Sequence, residues 1–155
     1  MKLTRILLCN HHPIVRSGLR LVLEREPAFR IIGEAANGRE AMVLAEHTHP
    51  DVVLLDINLP HINGIAIARE IRSKDRHIGL IFVSVHVDEE YVSEAFKAGA
   101  RGYVLADSAQ SDLIHAIRVI ARGDRFLSPS ITSQLLDGYT RTQVSEHEVI
   151  SEHQK

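Results

Sequence analysis

Apolar residues in this chain fall into short continuous runs, each followed by a polar break and then by apolar positions three and four residues apart. The runs read as buried strands, the spaced positions as amphipathic helices. Ile6 to Cys9 is the first strand. Val15, Leu19, Val22 and Leu23 stripe a helix from Pro13 to Glu26, opened by a proline whose fixed φ suits a first turn. Arg30 to Glu34 is the second strand, Asn37-Gly38 a turn signal, and Arg39 to Glu46 a second helix stopped by His49-Pro50. Val52 to Leu55 is apolar throughout and ends in Asp56, the pattern of a central parallel strand covered on both sides. A loop from Asn58 to Gly64 precedes a third helix marked by Ile67, Ala68 and Ile71. Ile78 to Ser84 is the fourth strand, and Val92, Ala95 and Phe96 mark a fourth helix that Gly99 ends. Gly102 to Leu105 is a short fifth strand, and Leu113, Ile117, Ile120 and Ala121 stripe a fifth helix before Gly123.

Strand and helix alternating in this way imply a parallel sheet with right-handed crossovers. The simplest arrangement is a flavodoxin-like, doubly wound α/β fold with five strands in the order 2-1-3-4-5 and helices on both faces. The functional crevice of such a sheet lies beyond the carboxyl ends of its strands, at the switch point between the first and third. Candidate site residues can therefore be read from strand ends: Asn10, His11 and His12; Asp56 with Asn58; Ser84 with His86; and Ala106 with Asp107. The main domain is expected over residues 1–125. Residues 126–138 read as a short C-terminal helix, with Ser128-Pro129-Ser130 as its cap, Ile131, Leu135 and Leu136 as its apolar side, and Asp137-Gly138 as its stop. Residues 139–155 are mostly polar and read as a linker or tail.

Composition narrows the function. The 155 residues are 45% hydrophobic and 25% charged, enough for one domain with a sizeable core. A net charge of −2, with Lys and Arg scattered, argues against nucleic-acid binding by this chain alone. The single cysteine, Cys9, permits no internal disulfide and lies in a run that reads as buried, where thiols are usually inert. The four-residue apolar run near the start is too short for a signal peptide, and no stretch approaches the ~20 apolar residues of a membrane span. The expected location is cytoplasmic.

A carboxylate ending a buried strand is either a turn cap or a group aimed into the crevice. The loop from Asp56 to Gly64 favours the second, since it holds the chain open after the strand and restarts a helix at a glycine. The runs Pro50-Asp-Val-Val-Leu-Leu-Asp-Ile-Asn-Leu-Pro60, His12-Pro-Ile-Val-Arg-Ser-Gly18, Gly33-Glu-Ala-Ala-Asn-Gly38 and Ala98-Gly-Ala-Arg-Gly-Tyr103 then give the chain a family likeness. Over about residues 4–137 it resembles receiver domains of LuxR/NarL-type response regulators. The resemblance implies that Asp56 is the phosphoacceptor for a sensor histidine kinase, with Ser84 and Tyr103 as the switch residues that respond. It also implies homodimer contacts on the fourth helix, fifth strand and fifth helix. DNA would be bound only through a C-terminal helix-turn-helix module, expected to begin where this chain stops. The bland reading of Tyr103 is a half-buried strand tyrosine with a wet hydroxyl.

Departures from the family pattern weaken the pocket. Two acidic residues are usual after the first strand, where this chain has Asn10 and His11; a lysine is usual after the fifth, where it has Ala106. Asp56 is left as the sole carboxylate. Asp56 and the backbone carbonyl of Asn58 can still offer oxygens to Mg²⁺, and so can Asn10, whereas His11 is a poor ligand for that ion. Phosphoryl transfer depends on positioning and charge stabilisation, so Mg²⁺-dependent phosphorylation is expected to be weak or absent. His11, His12, His61 and His86 read most simply as loop histidines, with a pocket titrating through His11 as the sharper version. The lost acidic pair and lysine favour an alternative, a pseudo-receiver that binds a protein partner regardless of phosphorylation. An enzyme or flavin carrier is disfavoured, because Asn10-His-His-Pro13 is not a phosphate-cradling loop and no Gly-x-Gly-x-x-Gly or Walker pattern occurs.

Overall fold

A computed structural model describes residues 2–84, 88–106 and 110–128. Strands β1 (Thr4–Cys9), β2 (Phe29–Ala35), β3 (Val52–Asp56), β4 (Gly79–Ser84) and β5 (Gly102–Leu105) alternate with helices α1 (Pro13–Glu24), α2 (Gly38–Thr48), α3 (Gly64–Lys74), α4 (Glu89–Lys97) and α5 (Gln110–Ala121). A further strand, β6 (Phe126–Leu127), follows α5. All pairings are parallel, in the order β2-β1-β3-β4-β5-β6. The expected order 2-1-3-4-5 is present, and the five-stranded sheet is corrected to six. Gly102 and Tyr103 pair with Phe126 and Leu127, residues that sequence grouped with a terminal helix. Two residues are too few to show any periodicity, and their strand form comes from an open sheet edge that takes up a passing chain. The expected helix and tail from residue 129 onward lie outside the described residues, as do His86 and Asp107.

Why the central strands are apolar at every position is seen in the two faces of the sheet. Leu7, Cys9, Val53, Leu55, Leu80, Phe82, Tyr103 and Leu105 pack on one side with Ala41, Ala45, Ile67, Ile71, Val92 and Ala95 of α2, α3 and α4. Ile6, Leu8, Val52, Leu54, Ile81, Val83 and Val104 pack on the other with Leu23 of α1 and Leu113, Ala116, Ile117 and Ile120 of α5. Alternate side chains of one strand thus enter opposite cores. Gly79 and Gly102 let α5 approach closely: a Cβ at either would fall within 2.4 or 2.3 Å of Ile120.

The starts of α2, α3 and α4 are fixed by side chains. Asn37 accepts from the Glu40 amide (2.9 Å), Asn63 from the Ala66 amide (2.9 Å) and Asp88 from the Glu90 amide (2.9 Å). Asn37-Gly38, a turn signal in the sequence, is therefore the N-cap of α2 and its first residue. Leu54, 1% exposed, should show its share of the core on truncation: Leu54→Ala is expected to cost about 2–5 kcal/mol, whereas Leu21→Ala, at a residue 62% exposed, should change stability by less than about 0.5 kcal/mol. Urea denaturation of both variants checks this.

Candidate functional site

Because β1 pairs with β3 while β2 and β4 lie outside them, the loops after β1 and β3 diverge to opposite faces and leave a crevice between them. The register sets Cys9 beside Leu55, Asp56 beside Val83, and Ser84 beside Leu105. Asn10, Asp56, Ser84 and Ala106 accordingly stand at the same edge of the sheet.

Asp56 is part-exposed, and one of its carboxylate oxygens accepts the Asn58 amide at 3.0 Å. The Asn58 side chain lies in solvent. The loop then turns sharply: the Ile62 amide donates to the Pro60 carbonyl at 2.8 Å across His61, whose φ is 71°. A three-residue turn with positive φ is a strained form, unusual for a side-chain-bearing residue. The Gly64 amide closes the loop onto the Ile57 carbonyl at 3.1 Å. A Cβ at Gly64 would stand 2.6 Å from the Asp56 carbonyl and 2.9 Å from Ile57 Cα, so only glycine lets α3 begin this close to the carboxylate.

Across the crevice, Asn10 is buried and engaged through its backbone and its side-chain oxygen. Its amide donates to the Ala35 carbonyl (3.0 Å), its side-chain oxygen accepts the His12 amide (2.8 Å), and its carbonyl accepts Arg16 Nη1 (2.6 Å). His11 and His12 are exposed, with ring centroids 5.1 Å apart. Ala106 is exposed, and its amide donates to the Ser84 carbonyl at 2.8 Å. Among the described residues no cation pairs with Asp56, and no three His, Cys, Asp or Glu side chains gather to hold a metal. These residues fit Mg²⁺ poorly: the Asn10 oxygen already has a donor, His11 offers only nitrogen, and one carboxylate remains.

Ser84 and Tyr103 are brought together in the core beneath this edge, 4% and 1% exposed. The Tyr103 ring lies tilted against Phe82, with centroids 6.2 Å apart, so the half-buried tyrosine of the bland reading is not found. Burial raises the phenol's pKa, a side-chain hydrogen bond with Ser84 lowers it, and Asp88, Asp56 and Tyr91 raise it; the net shift is upward. Arg16 escaped the sequence reading. It reaches from α1 to the Asn10 carbonyl and lies 3.6 Å from Glu34 of β2, which Arg20 also meets at 2.5 Å. Arg16 and Arg20 stand one turn apart, but nothing in sequence ties them to a glutamate on another element.

This fold, with a strand-end aspartate over a Ser–Tyr pair, is that of a receiver domain. Residues 6–118 match the response regulator receiver domain family, and the chain belongs to it. Its homologues are NarL/LuxR-type response regulators. It is 32% identical over 148 residues to the transcriptional regulatory protein DegU of Brevibacillus brevis, covering 96% of this chain and 63% of that protein. It is 38% identical over 130 residues to the nitrate/nitrite response regulator protein NarL of Escherichia coli K12, covering 84% of this chain and 60% of that protein. Among solved structures, a LuxR-family two-component response regulator from Aurantimonas sp. SI85-9A1 superimposes with a TM-score of 0.86 at 37% identity, covering 90% of this chain and 99% of that one. The chain thus spans somewhat under two thirds of the length of these curated relatives. Receiver domains of this type are regulatory and typically use Mg²⁺ for phosphorylation. Among the described residues no helix is long and apolar enough to cross a membrane.

Cys9 reports on the same edge. Burial first, then the Asp56 and Glu40 carboxylates, push its thiol from 9.0 up to about 12, against a smaller opposing effect of Arg16. A folded-state value above the unfolded one favours the fold below pH 9 and loses that advantage as pH rises toward 12. Wild-type stability should therefore fall by up to about 1.4 kcal/mol per pH unit more steeply than that of Cys9→Ala over this range, as measured by urea denaturation.

Proposed function

We propose that this chain is the cytoplasmic receiver portion of a LuxR/NarL-type transcription regulator in which Asp56 is the phosphoacceptor and its Mg²⁺-dependent phosphorylation is weak. A sensor histidine kinase is the natural donor, Ser84 and Tyr103 are the responding pair, and the output passes through homodimerisation and an attached DNA-binding module. The relatives' names as transcriptional regulators and the share of their length that this chain spans support that output.

The observation that carries the weak-phosphorylation reading is the Asn10 side-chain oxygen. It accepts the His12 amide at 2.8 Å within the loop before α1, where a family member would present a carboxylate to a cation. Ala106 adds no positive charge. Charge developing on a transferring phosphoryl group is stabilised by preorganised donors and cations, and losing one such group typically costs ~3 kcal/mol, or ~10²–10³ in rate. Two such losses do not add simply, since both groups act on the same charge.

The same observation favours a second reading, a phosphorylation-independent module that binds a protein partner through its fixed surface. One experiment separates them: the chain is incubated with millimolar Mg²⁺ and acetyl phosphate or beryllofluoride, and adducts are mapped by mass spectrometry and fluorine NMR. The proposal expects a slow, partial adduct at Asp56 that Asp56→Ala abolishes. No adduct at all favours the phosphorylation-independent module, and rapid, stoichiometric modification overturns the weakened pocket.

A further inference from the structure

The carboxyl end of β5 is gripped from two sides by serines. On its inner side, the Ala106 amide donates to the Ser84 carbonyl at 2.8 Å. On its outer side, the Leu105 amide donates to the Ser128 hydroxyl oxygen at 3.2 Å, a bond spanning 23 residues, and the Ser128 amide donates to the Tyr103 carbonyl at 3.1 Å. Ser128 is 0% exposed. Sequence placed it as the cap of a following helix; in the structure its hydroxyl takes the place of a ladder carbonyl, one residue beyond the end of β6.

β6 is two residues long and sits at the sheet edge, with Phe126 and Leu127 partly buried against the two cores; the Phe126 amide donates to the Arg101 carbonyl at 2.9 Å, and two Ser128 bonds reach β5 just beyond it. Short, edge-bound elements open at low free energy and respond readily to changes in the strand that holds them. The two Ser128 bonds land on the Tyr103 carbonyl and the Leu105 amide, either side of Val104, and Tyr103 is the side chain bonded to Ser84 beneath Asp56. Pro129 follows directly, so the rest of the chain is tied at this point to the strand that carries the pocket's buried tyrosine.

We propose that Ser128 is a positioning residue that couples the Asp56–Ser84–Tyr103 edge to the chain from Pro129 onward through its hydroxyl bond to the Leu105 amide. This rests on the reading of Ser84 and Tyr103 as the responding pair, but it needs no phosphorylation, so its test uses a change of charge at Asp56. The full 155-residue chain is labelled with ¹⁵N as wild type, Asp56→Asn, Ser128→Ala and the double variant, with Ser128→Thr and its Asp56→Asn partner as the conservative pair.

Removing the hydroxyl leaves the Leu105 amide without its acceptor, and its hydrogen exchange should accelerate by at least about tenfold in Ser128→Ala and recover in Ser128→Thr. In the wild-type background, Asp56→Asn should shift the amide signals of Ser84, Tyr103, Leu105 and residues beyond Pro129. In the Ser128→Ala background the shifts at Ser84 and Tyr103 should persist, while those beyond Pro129 shrink at least about threefold, with Ser128→Thr restoring them. Unchanged Leu105 exchange, or equal propagation past Pro129 with and without the hydroxyl, overturns the proposal; so does an Asp56→Asn effect that stops at Tyr103 in every background. Failure to form an adduct at Asp56 would bear on the phosphoacceptor reading and leave these outcomes unaffected.

Discussion

β1 and β3 lie side by side, Cys9 against Leu55, with both strands buried on both faces. Polar backbone in such a place must be satisfied by strand pairing, so neither strand can slip without placing its alternate side chains in the wrong core. That pairing fixes everything above it. It sets Asn10 across from Asp56, sends the two loops apart, and leaves the crevice where the site lies. β4 and β5 continue the register outward and deliver Ser84 and Ala106 to the same edge. The glycine at 64 then allows α3 to start against the Asp56 carbonyl, which no other residue permits without displacing backbone.

Among the described residues no cation pairs with the carboxylate at this edge. Asp56 stands at the end of β3, and the described groups around it are an asparagine engaged with its own loop, an exposed histidine and an alanine. Beneath them lies the buried Ser84–Tyr103 pair. Tyr103 is buried on Phe82, bonded to Ser84, and held through its backbone by Ser128. On the proposed reading, Ser84 and Tyr103 would transmit a change at Asp56, while Asn10, His11 and Ala106 would slow phosphoryl transfer there. This combination suits a domain whose conformation is set by slow modification or by a bound partner.

Most of the fold was legible in the sequence, because continuous apolar runs separated by helical stripes leave little choice of architecture. Val52–Leu55 was legible as a central strand for the same reason, and Asp56 as the residue that ends it. The sequence hid what depends on contacts between distant residues. Phe126–Leu127 carries no periodic signal and becomes a strand only beside β5. The engagement of the Asn10 side chain by the His12 amide is a matter of loop geometry. Arg16 meets Glu34, and Ser128 meets Leu105, across separations that no local pattern encodes. Tyr103 showed its residue type but not its depth, which comes from helix packing over β5.

We propose that Asn10, His11 and Ala106 limit phosphoryl chemistry at Asp56. Replacing them tests this most directly: Asn10→Asp, His11→Asp and Ala106→Lys are combined, and the rate of Asp56 phosphorylation by acetyl phosphate with Mg²⁺ is compared with that of the wild type. The account predicts a rise of at least about 10²-fold, lost again on adding Asp56→Ala. A combined variant that folds normally and reacts no faster than the wild type would contradict it.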